Sequence, residues 1–155
     1  MNMTKTRLIA VLLAALLCLG LAACGERVGA APFAADKTPR ALMDAGAFSE
    51  DLEALEEVIL LRLYELDEEK VVKAAGFAST GLTAEEVAVF EMADEQAAKD
   101  AEELLRAHLD YQVEANEDYR PQEMPKLEKA VVARRGRTLL FLVAADYAAA
   151  EKALG

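Results

Sequence analysis

Residues 86–117, EVAVFEMADEQAAKDAEELLRAHLDYQVEANE, contain a strand followed by a long helix, and the rest of the predicted fold is arranged around them. In the first seven residues Ala88, Phe90 and Met92 fall on one side, and Val87 and Val89 on the other. An alternation of period two is typical of a β-strand, and apolar residues on both sides predict a buried one.

The second part of this segment has the period of a helix. Asp94 is the predicted N-cap of a helix over residues 95–117, and Pro121 lies just beyond its end. The predicted apolar face consists of Ala97, Ala101, Leu104, Leu105, His108 and Ala115.

Hairpins are predicted on both sides of this unit. Upstream, residues 71–78 read as a strand and 79–83 as a loop, so that 71–78 pairs with 86–92. Downstream, strands over 130–134 and 138–144 flank a predicted Arg135-Gly136 turn, in which glycine supplies the positive φ. Asp146 is then the predicted N-cap of a helix that runs to Leu154.

The region before the first hairpin predicts a helix from Ser49 towards Leu66, with a strand through 58–61 as the alternative. Thr38-Pro39 predicts a further short helix through Met43. The order helix, hairpin, long helix, hairpin, helix predicts the α+β class. We expect one domain over residues 48–155, with an antiparallel sheet of about four strands and helices on one of its faces.

The N-terminus predicts an export signal. Lys5 and Arg7 precede residues 8–23, which carry no charge and are fewer than the ~20 apolar residues that cross a bilayer. A basic start, a short apolar run and small residues before a break are typical of a secretory signal, here residues 1–23. The alternative is an uncleaved transmembrane anchor.

Leu21-Ala22-Ala23-Cys24 resembles the lipobox of bacterial lipoproteins. The resemblance implies cleavage between Ala23 and Cys24, a diacylglycerol thioether on Cys24, and a location on the extracytoplasmic face of the plasma membrane. Residues 24–47 are then the lipidated N-terminus and a tether. The alternative is an ordinary signal peptide with a chance cysteine.

The net charge and the cysteine count narrow the possible classes of function. The signal contains two of the 17 basic residues and none of the 28 acidic ones, so the mature charge is 15 − 28 = −13. This balance argues against nucleic acid, whose binders carry basic faces. Of the two cysteines, Cys18 leaves with the signal and Cys24 would be alkylated, so neither a disulfide nor a thiol nucleophile is expected.

Three segments together resemble the DUF4358 family, small lipoproteins of unknown function found largely in Firmicutes. They are Thr83–Phe90 before the long acidic helix, Asn116–Pro121, and Ala130–Val132 before a glycine turn. The resemblance covers about Phe48 to Leu154. It implies a Gram-positive envelope location and one compact domain, and it brings no catalytic residues. The basic turn Arg135-Gly136-Arg137 departs from the family pattern.

Few residues indicate a catalytic or metal-binding site. His108, the one histidine, lies on an apolar helix face without a second ligand nearby, which favours a core histidine over a metal ligand. Glu85 and Glu86 are adjacent on a strand and therefore point to opposite faces, which disfavours a catalytic pair. We predict no catalytic, cofactor-binding or metal-binding residues, and no cofactor.

Two surface features have alternative interpretations. Tyr111 and Tyr119 either line a sugar or peptide surface or pack at the helix end. Arg134, Arg135 and Arg137 either protect a sheet edge or dock an acidic partner. We expect a non-enzymatic extracytoplasmic binding domain with a protein or envelope partner. An accessory subunit of a membrane transporter and a cell-wall hydrolase are the alternatives.

Overall fold

The computed structural model describes residues 31–155. The predicted signal over 1–23, its cleavage site, the lipobox Leu21–Cys24 and the start of the tether lie outside the described residues. Within them the chain forms a single α+β domain. Its strands are β1 (Glu53–Ala54), β2 (Val71–Ala78), β3 (Glu86–Met92), β4 (Val131–Arg135) and β5 (Thr138–Val143), and its helices are α1 (Thr38–Asp44), α2 (Glu57–Leu63), α3 (Glu95–Glu117), α4 (Met124–Leu127) and α5 (Tyr147–Leu154).

The five strands form one antiparallel sheet in the order β1-β2-β3-β5-β4. Both predicted hairpins are present, β2 with β3 and β4 with β5, and β3 pairs with β5 to join them. The two-residue strand β1 extends the sheet beyond the four strands predicted. A bulge at Val72 interrupts the β2–β3 register.

The sheet is covered on both faces, so the prediction of helices on one face is wrong. One face contributes Ala88, Phe90, Met92, Leu139, Phe141 and Val143 to a core with α2 and α3. The other contributes Val87, Val89, Leu140 and Leu142 to a core with Phe33, α1 and α5. Because β3 and β5 are central and buried on both sides, they are apolar at nearly every position.

The N-terminal segment accounts for much of this second layer. The predicted tether extended to residue 47, but Phe33, Leu42 and Ala47 are buried against the sheet. The Phe33 N–H donates to Thr138 Oγ1 at 2.9 Å, and the Arg135 guanidinium lies 4.3 Å from the Phe33 ring centroid. The packed part of the chain therefore begins before Phe48.

The helix predicted from Ser49 to Leu66 is shorter, because its first part pairs with the sheet. Glu53 and Ala54 lie opposite Ala78 and Phe77, and α2 begins only at Glu57. Ser49 does not cap a helix; its backbone N–H donates to a Glu85 carboxylate oxygen at 2.8 Å.

Helix α3 has the predicted bounds, and the Asp94 carboxylate accepts the Ala97 N–H at 2.8 Å. Its apolar face differs at the C-terminal end, where Ala115 is exposed and Asn116 is buried. The β4–β5 turn is Gly136-Arg137, one residue later than predicted, with Gly136 at φ +59°. In the range 31–155 no helix has the length and apolarity that a membrane span requires.

Candidate functional site

A cleft of about 250 Å³ lies between the end of α2 and the middle of α3. Its walls are Leu63, Tyr64 and Glu65 on one side and Leu104, Ala107, His108 and Tyr111 on the other. Drug-sized ligands occupy pockets of about 300–1,000 Å³, so this cleft is suited to one side chain or a fragment.

A buried carboxylate, Glu86, supports the base of the cleft from the sheet. Its Oε1 accepts the Tyr64 hydroxyl at 2.7 Å, and its Oε2 lies 3.3 Å from both His108 Nε2 and Gln112 Nε2. The side chains of Glu86 and His108 are each only 4% exposed. Three donors around one carboxylate offset the cost of burying its charge.

The hydrogen bond between Tyr64 and Glu86 has a defined direction, from the hydroxyl group to the carboxylate oxygen. Burial, followed by the charge of Glu86 and the hydrogen bond to it, raises the pKa of Tyr64 well above 10.0. The Tyr64 hydroxyl therefore stays protonated and donates.

His108 belongs both to this cluster and to the wall of the cleft. Glu86 Oε2 and Gln112 Nε2 lie 3.3 and 3.5 Å from its Nε2, and His108 also lines the cleft. The ring is held in place by Tyr64 and Phe141, whose centroids lie 4.3 and 5.1 Å away.

The rim of the cleft is apolar and exposed. Leu63 is 41% exposed and Tyr111 66%, and Val58 and Ile59 are exposed on the same helix as Leu63. Glu65, at the end of this helix, has φ +55°, the one positive value among the non-glycine residues described. Glu65 follows the C-cap Tyr64, and a left-handed residue at this position commonly ends a helix; here the Leu66 N–H donates to the Leu61 carbonyl at 2.8 Å.

A second buried polar cluster joins the start of β3 to α4. Lys126 Nζ lies 2.8 Å from Glu85 Oε1 and 2.9 Å from Glu123 Oε2. Burial raises the pKa of Glu123, but the Ala84 N–H, Lys126 and Arg120 outweigh it, so the net shift is downward. Burial lowers the pKa of Lys126, but Glu85 and Glu123 outweigh it, so the net shift is upward. The arrangement is an ion-pair network in which two buried carboxylates share one ammonium group.

The structure places the residues singled out in the sequence in different parts of the domain. His108 is a buried core histidine as predicted, and Glu85 and Glu86 belong to separate clusters, as their opposite faces required. Tyr111 lines the cleft, whereas Tyr119 is 89% exposed and lies outside it.

The arginines are engaged with groups of the same chain. Arg134 Nε lies 3.1 Å from Glu102 on α3. Arg135 donates to the Ala31 carbonyl, and Arg137 to the Ala93 carbonyl, both at 3.0 Å. They therefore fasten β4, an edge strand, and the following turn to neighbouring segments.

The described part of the chain contains no group of three or more His, Cys, Asp or Glu side chains arranged to hold a metal ion. Tyr64 and Gln112 were not predicted as residues of this cluster, and neither was the contact between Glu86 and His108. One signal was available: Glu86 shares its strand face with Ala88 and Phe90, and a carboxylate on an apolar face requires buried donors.

Comparison with known proteins gives one match. The family model described as "Domain of unknown function (DUF4358)" matches residues 44–144, well over half of the chain, in agreement with the resemblance noted in the sequence. No curated protein and no solved structure matches.

Proposed function

We propose that this chain, which belongs to the DUF4358 family, is a lipid-anchored extracytoplasmic domain that binds a partner protein without catalysing a reaction. The observation that carries the proposal is the cleft between α2 and α3 with its exposed apolar rim. The family match supplies no activity of its own.

The rim has the composition of a docking surface. Val58, Ile59 and Leu63 are 60%, 50% and 41% exposed on a helix of only two turns, and Ile59 and Leu63 are one turn apart. Tyr111 faces Leu63 across the cleft, and Val58 and Ile59 extend the exposed apolar surface along α2. Grouped exposed apolar residues mark interaction sites, and tyrosine is enriched among the residues that dominate binding energy.

Charge favours a basic partner. The described residues contain 14 basic and 27 acidic side chains, a net charge of −13, because three of the 17 basic residues and one of the 28 acidic ones precede residue 31. Around the cleft, exposed acids Glu103, Asp110 and Glu114 lie three or four positions from Ala107 or Tyr111 on α3. A partner segment with apolar residues flanked by Lys or Arg would complement this surface.

The anchor is proposed from the lipobox. Two acyl chains on Cys24, at ~0.8 kcal/mol per buried methylene, would hold the protein at the membrane, where its partner would also reside. A transporter subunit is one such partner. A hydrolase is disfavoured because, among residues 31–155, His108 hydrogen-bonds only Glu86 and Gln112, with no Ser, Thr or Cys nucleophile beside it.

The test is photo-crosslinking in intact cells followed by affinity purification and mass spectrometry. We expect one stoichiometric partner, retained at the membrane fraction with the wild-type chain and lost with Cys24→Ala. Leu63→Asp should abolish the crosslink, whereas the matched change Leu82→Asp, at a residue 75% exposed in the β2–β3 loop, should leave it intact. Equal crosslinking by both aspartate variants would refute the docking face, and a soluble wild-type chain would refute the anchor.

A further inference from the structure

We propose that the surface where residues 31–36 enter the domain binds the phosphate groups of anionic membrane lipids through Lys73, Arg135 and Arg137. This inference rests on the proposed function, because it requires the lipid anchor on Cys24. It concerns a surface other than the cleft.

The proposed surface surrounds a depression of about 480 Å³ next to the β4–β5 turn. Its cations come from three separate segments: Lys73 from β2, Arg135 from the end of β4, and Arg137 from the turn. Two acids, Asp36 and Glu91, also line the depression. Three cations and two acids give a local charge of +1, whereas the described residues together carry −13.

Two of the cations belong to ion pairs that are open to solvent. Lys73 Nζ lies 3.6 Å from Asp36, with both side chains about half exposed. Arg137 Nη2 lies 3.3 Å from Glu91, and the Arg137 side chain is likewise about half exposed. Exposed pairs of this kind contribute little free energy, so a phosphate group can replace either carboxylate as the partner.

The third cation, Arg135, is oriented by neutral groups. Its Nη1 donates to the Ala31 carbonyl at 3.0 Å, and its guanidinium carbon lies 4.3 Å from the centroid of the Phe33 ring. A guanidinium has five N–H donors in a planar fork that matches the oxygens of a phosphate. The bond to Ala31 therefore leaves donors for a ligand.

The sequence limits the distance between this surface and the membrane. Ala31 lies seven positions after Cys24, and at ~3.6 Å per residue this segment spans at most about 25 Å. Because Ala31 contacts Arg135, a lipid on Cys24 would hold the surface within that distance of the headgroups. A short tether keeps the local concentration of headgroups high, which favours a lipid over a soluble anion as the ligand.

The charge of the rest of the domain disfavours other contacts with the membrane. A net charge of −13 repels anionic lipids, whereas a locally positive surface is attracted to them within the screening length of about 8 Å. The domain should therefore stand on the proposed surface. The β2–β3 loop, which follows Ala78 at the other end of β2, should then point away from the membrane.

The test uses the mature lipidated protein in vesicles of phosphatidylcholine, with or without phosphatidylglycerol. Its one cysteine, Cys24, is alkylated, so Ala31→Cys at an exposed position introduces a single site for a fluorescent dye. Lipids with a nitroxide headgroup quench this dye only at close range. We expect at least about twofold more quenching when phosphatidylglycerol is present, and a loss of this difference at high salt. Repulsion of the acidic domain would give the opposite sign.

Paired variants test the cations. Lys73→Gln with Arg137→Gln should remove most of the rise in quenching, whereas Lys129→Gln with Lys152→Gln, two exposed cations elsewhere, should leave it unchanged. A dye at Leu82→Cys, in the β2–β3 loop, should be quenched weakly and equally in both kinds of vesicle. The comparison of the two lipid compositions keeps all charges of the protein and stands even if a variant does not fold.

The proposal is overturned by equal or reduced quenching at residue 31 with phosphatidylglycerol, or by a folded Lys73→Gln/Arg137→Gln variant that is quenched like the wild type. If the two vesicles quench equally while that variant loses the cellular crosslink, the surface binds an acidic protein and the lipid proposal is wrong. If quenching rises and no crosslink forms in cells, the lipid surface stands and the partner-binding function is wrong. A wild-type chain that carries no lipid refutes the anchor and this inference together.

Discussion

Replacing Lys126 by methionine removes the cation that two buried carboxylates share. Lys126 Nζ contacts Glu85 at 2.8 Å and Glu123 at 2.9 Å, and the Glu85 side chain has no exposed surface. Methionine keeps much of the length and the apolar stem of lysine, so the change removes the charge and largely preserves the packing. The two buried carboxylates then lose the cation they share, and only the charge of Arg120 still favours the ionised form of Glu123.

The expected loss of stability follows from the burial of the two carboxylates. Removing one partner of a buried pair typically destabilises by 3–5 kcal/mol, because the remaining charge is uncompensated. The Lys126 side chain retains 20% exposure, which lets water reach the site, so we expect the lower end, about 3 kcal/mol. For a domain of this size that corresponds to a fall in Tm of roughly 10 °C.

The assay is urea unfolding at pH 7, with Lys129→Met as the control. Lys129 is exposed three residues away, and its replacement should change the free energy of unfolding by less than about 0.5 kcal/mol. Adding Glu85→Gln to Lys126→Met removes one of the two facing charges and should recover at least about 1 kcal/mol. A loss below about 1 kcal/mol for Lys126→Met, or no recovery in the double variant, would refute the shared-cation interpretation.

Three further predictions concern the fold and its pH dependence. Gly76→Ala places a Cβ 2.5 Å from a methyl carbon of fully buried Leu60 and should cost about 1–3 kcal/mol in urea unfolding, partly restored by Leu60→Val. Tyr64→Phe removes the hydroxyl that Glu86 accepts and should cost about 1–3 kcal/mol at pH 7. Above pH 10 the free energy of unfolding should fall less for Tyr64→Phe than for the wild type. The raised pKa of Tyr64 contributes stability below pH 10, and this contribution is lost as the pH rises further and the hydroxyl ionises. The lowered pKa of Glu123 contributes stability above its ordinary value of 4.5, so Glu123→Gln should flatten the loss of stability below that pH; an unchanged acid limb would contradict this.

The parts of the fold with strong local signals could be predicted from sequence. Strands β2 and β3 and helix α3 have the predicted bounds, since alternation, helical period and the Asp94 cap are all encoded locally. The α2 region could not be predicted in the same way. Leu52 and Leu55 continue the helical spacing, but Glu53 and Ala54 pair with β2, a contact that only tertiary structure creates.

The second layer of the sheet was missed for a related reason. Residues 25–40 contain glycine, alanine and proline, few large apolar residues and no period, which predicts a tether. The burial of the described segment 31–47 depends on a few anchors, Phe33 and Leu42 above all, which fill the face made by Val87 and Leu140. Composition averages over a segment and does not detect two large side chains that find a complementary surface.

The candidate site shows the same limit. Periodicity predicted that His108 is buried on α3, and the strand pattern separated Glu85 from Glu86. The hydrogen bond between His108 and Glu86 joins residues 22 positions apart, on a helix and a strand that pack against each other. That pairing is a long-range contact, so no local pattern in the sequence could indicate it.

The packing of the N-terminal segment has a mechanical consequence. A pull on the chain from before residue 31 would enter the domain at two points. The Ala31 carbonyl accepts from Arg135 at the end of β4, and the Phe33 N–H donates to Thr138 at the start of β5, 105 positions away in sequence. Phe33 lies on the sheet face opposite α2 and α3. The pulling force would therefore pass into the β4–β5 hairpin, and the sheet lies between Phe33 and the cleft.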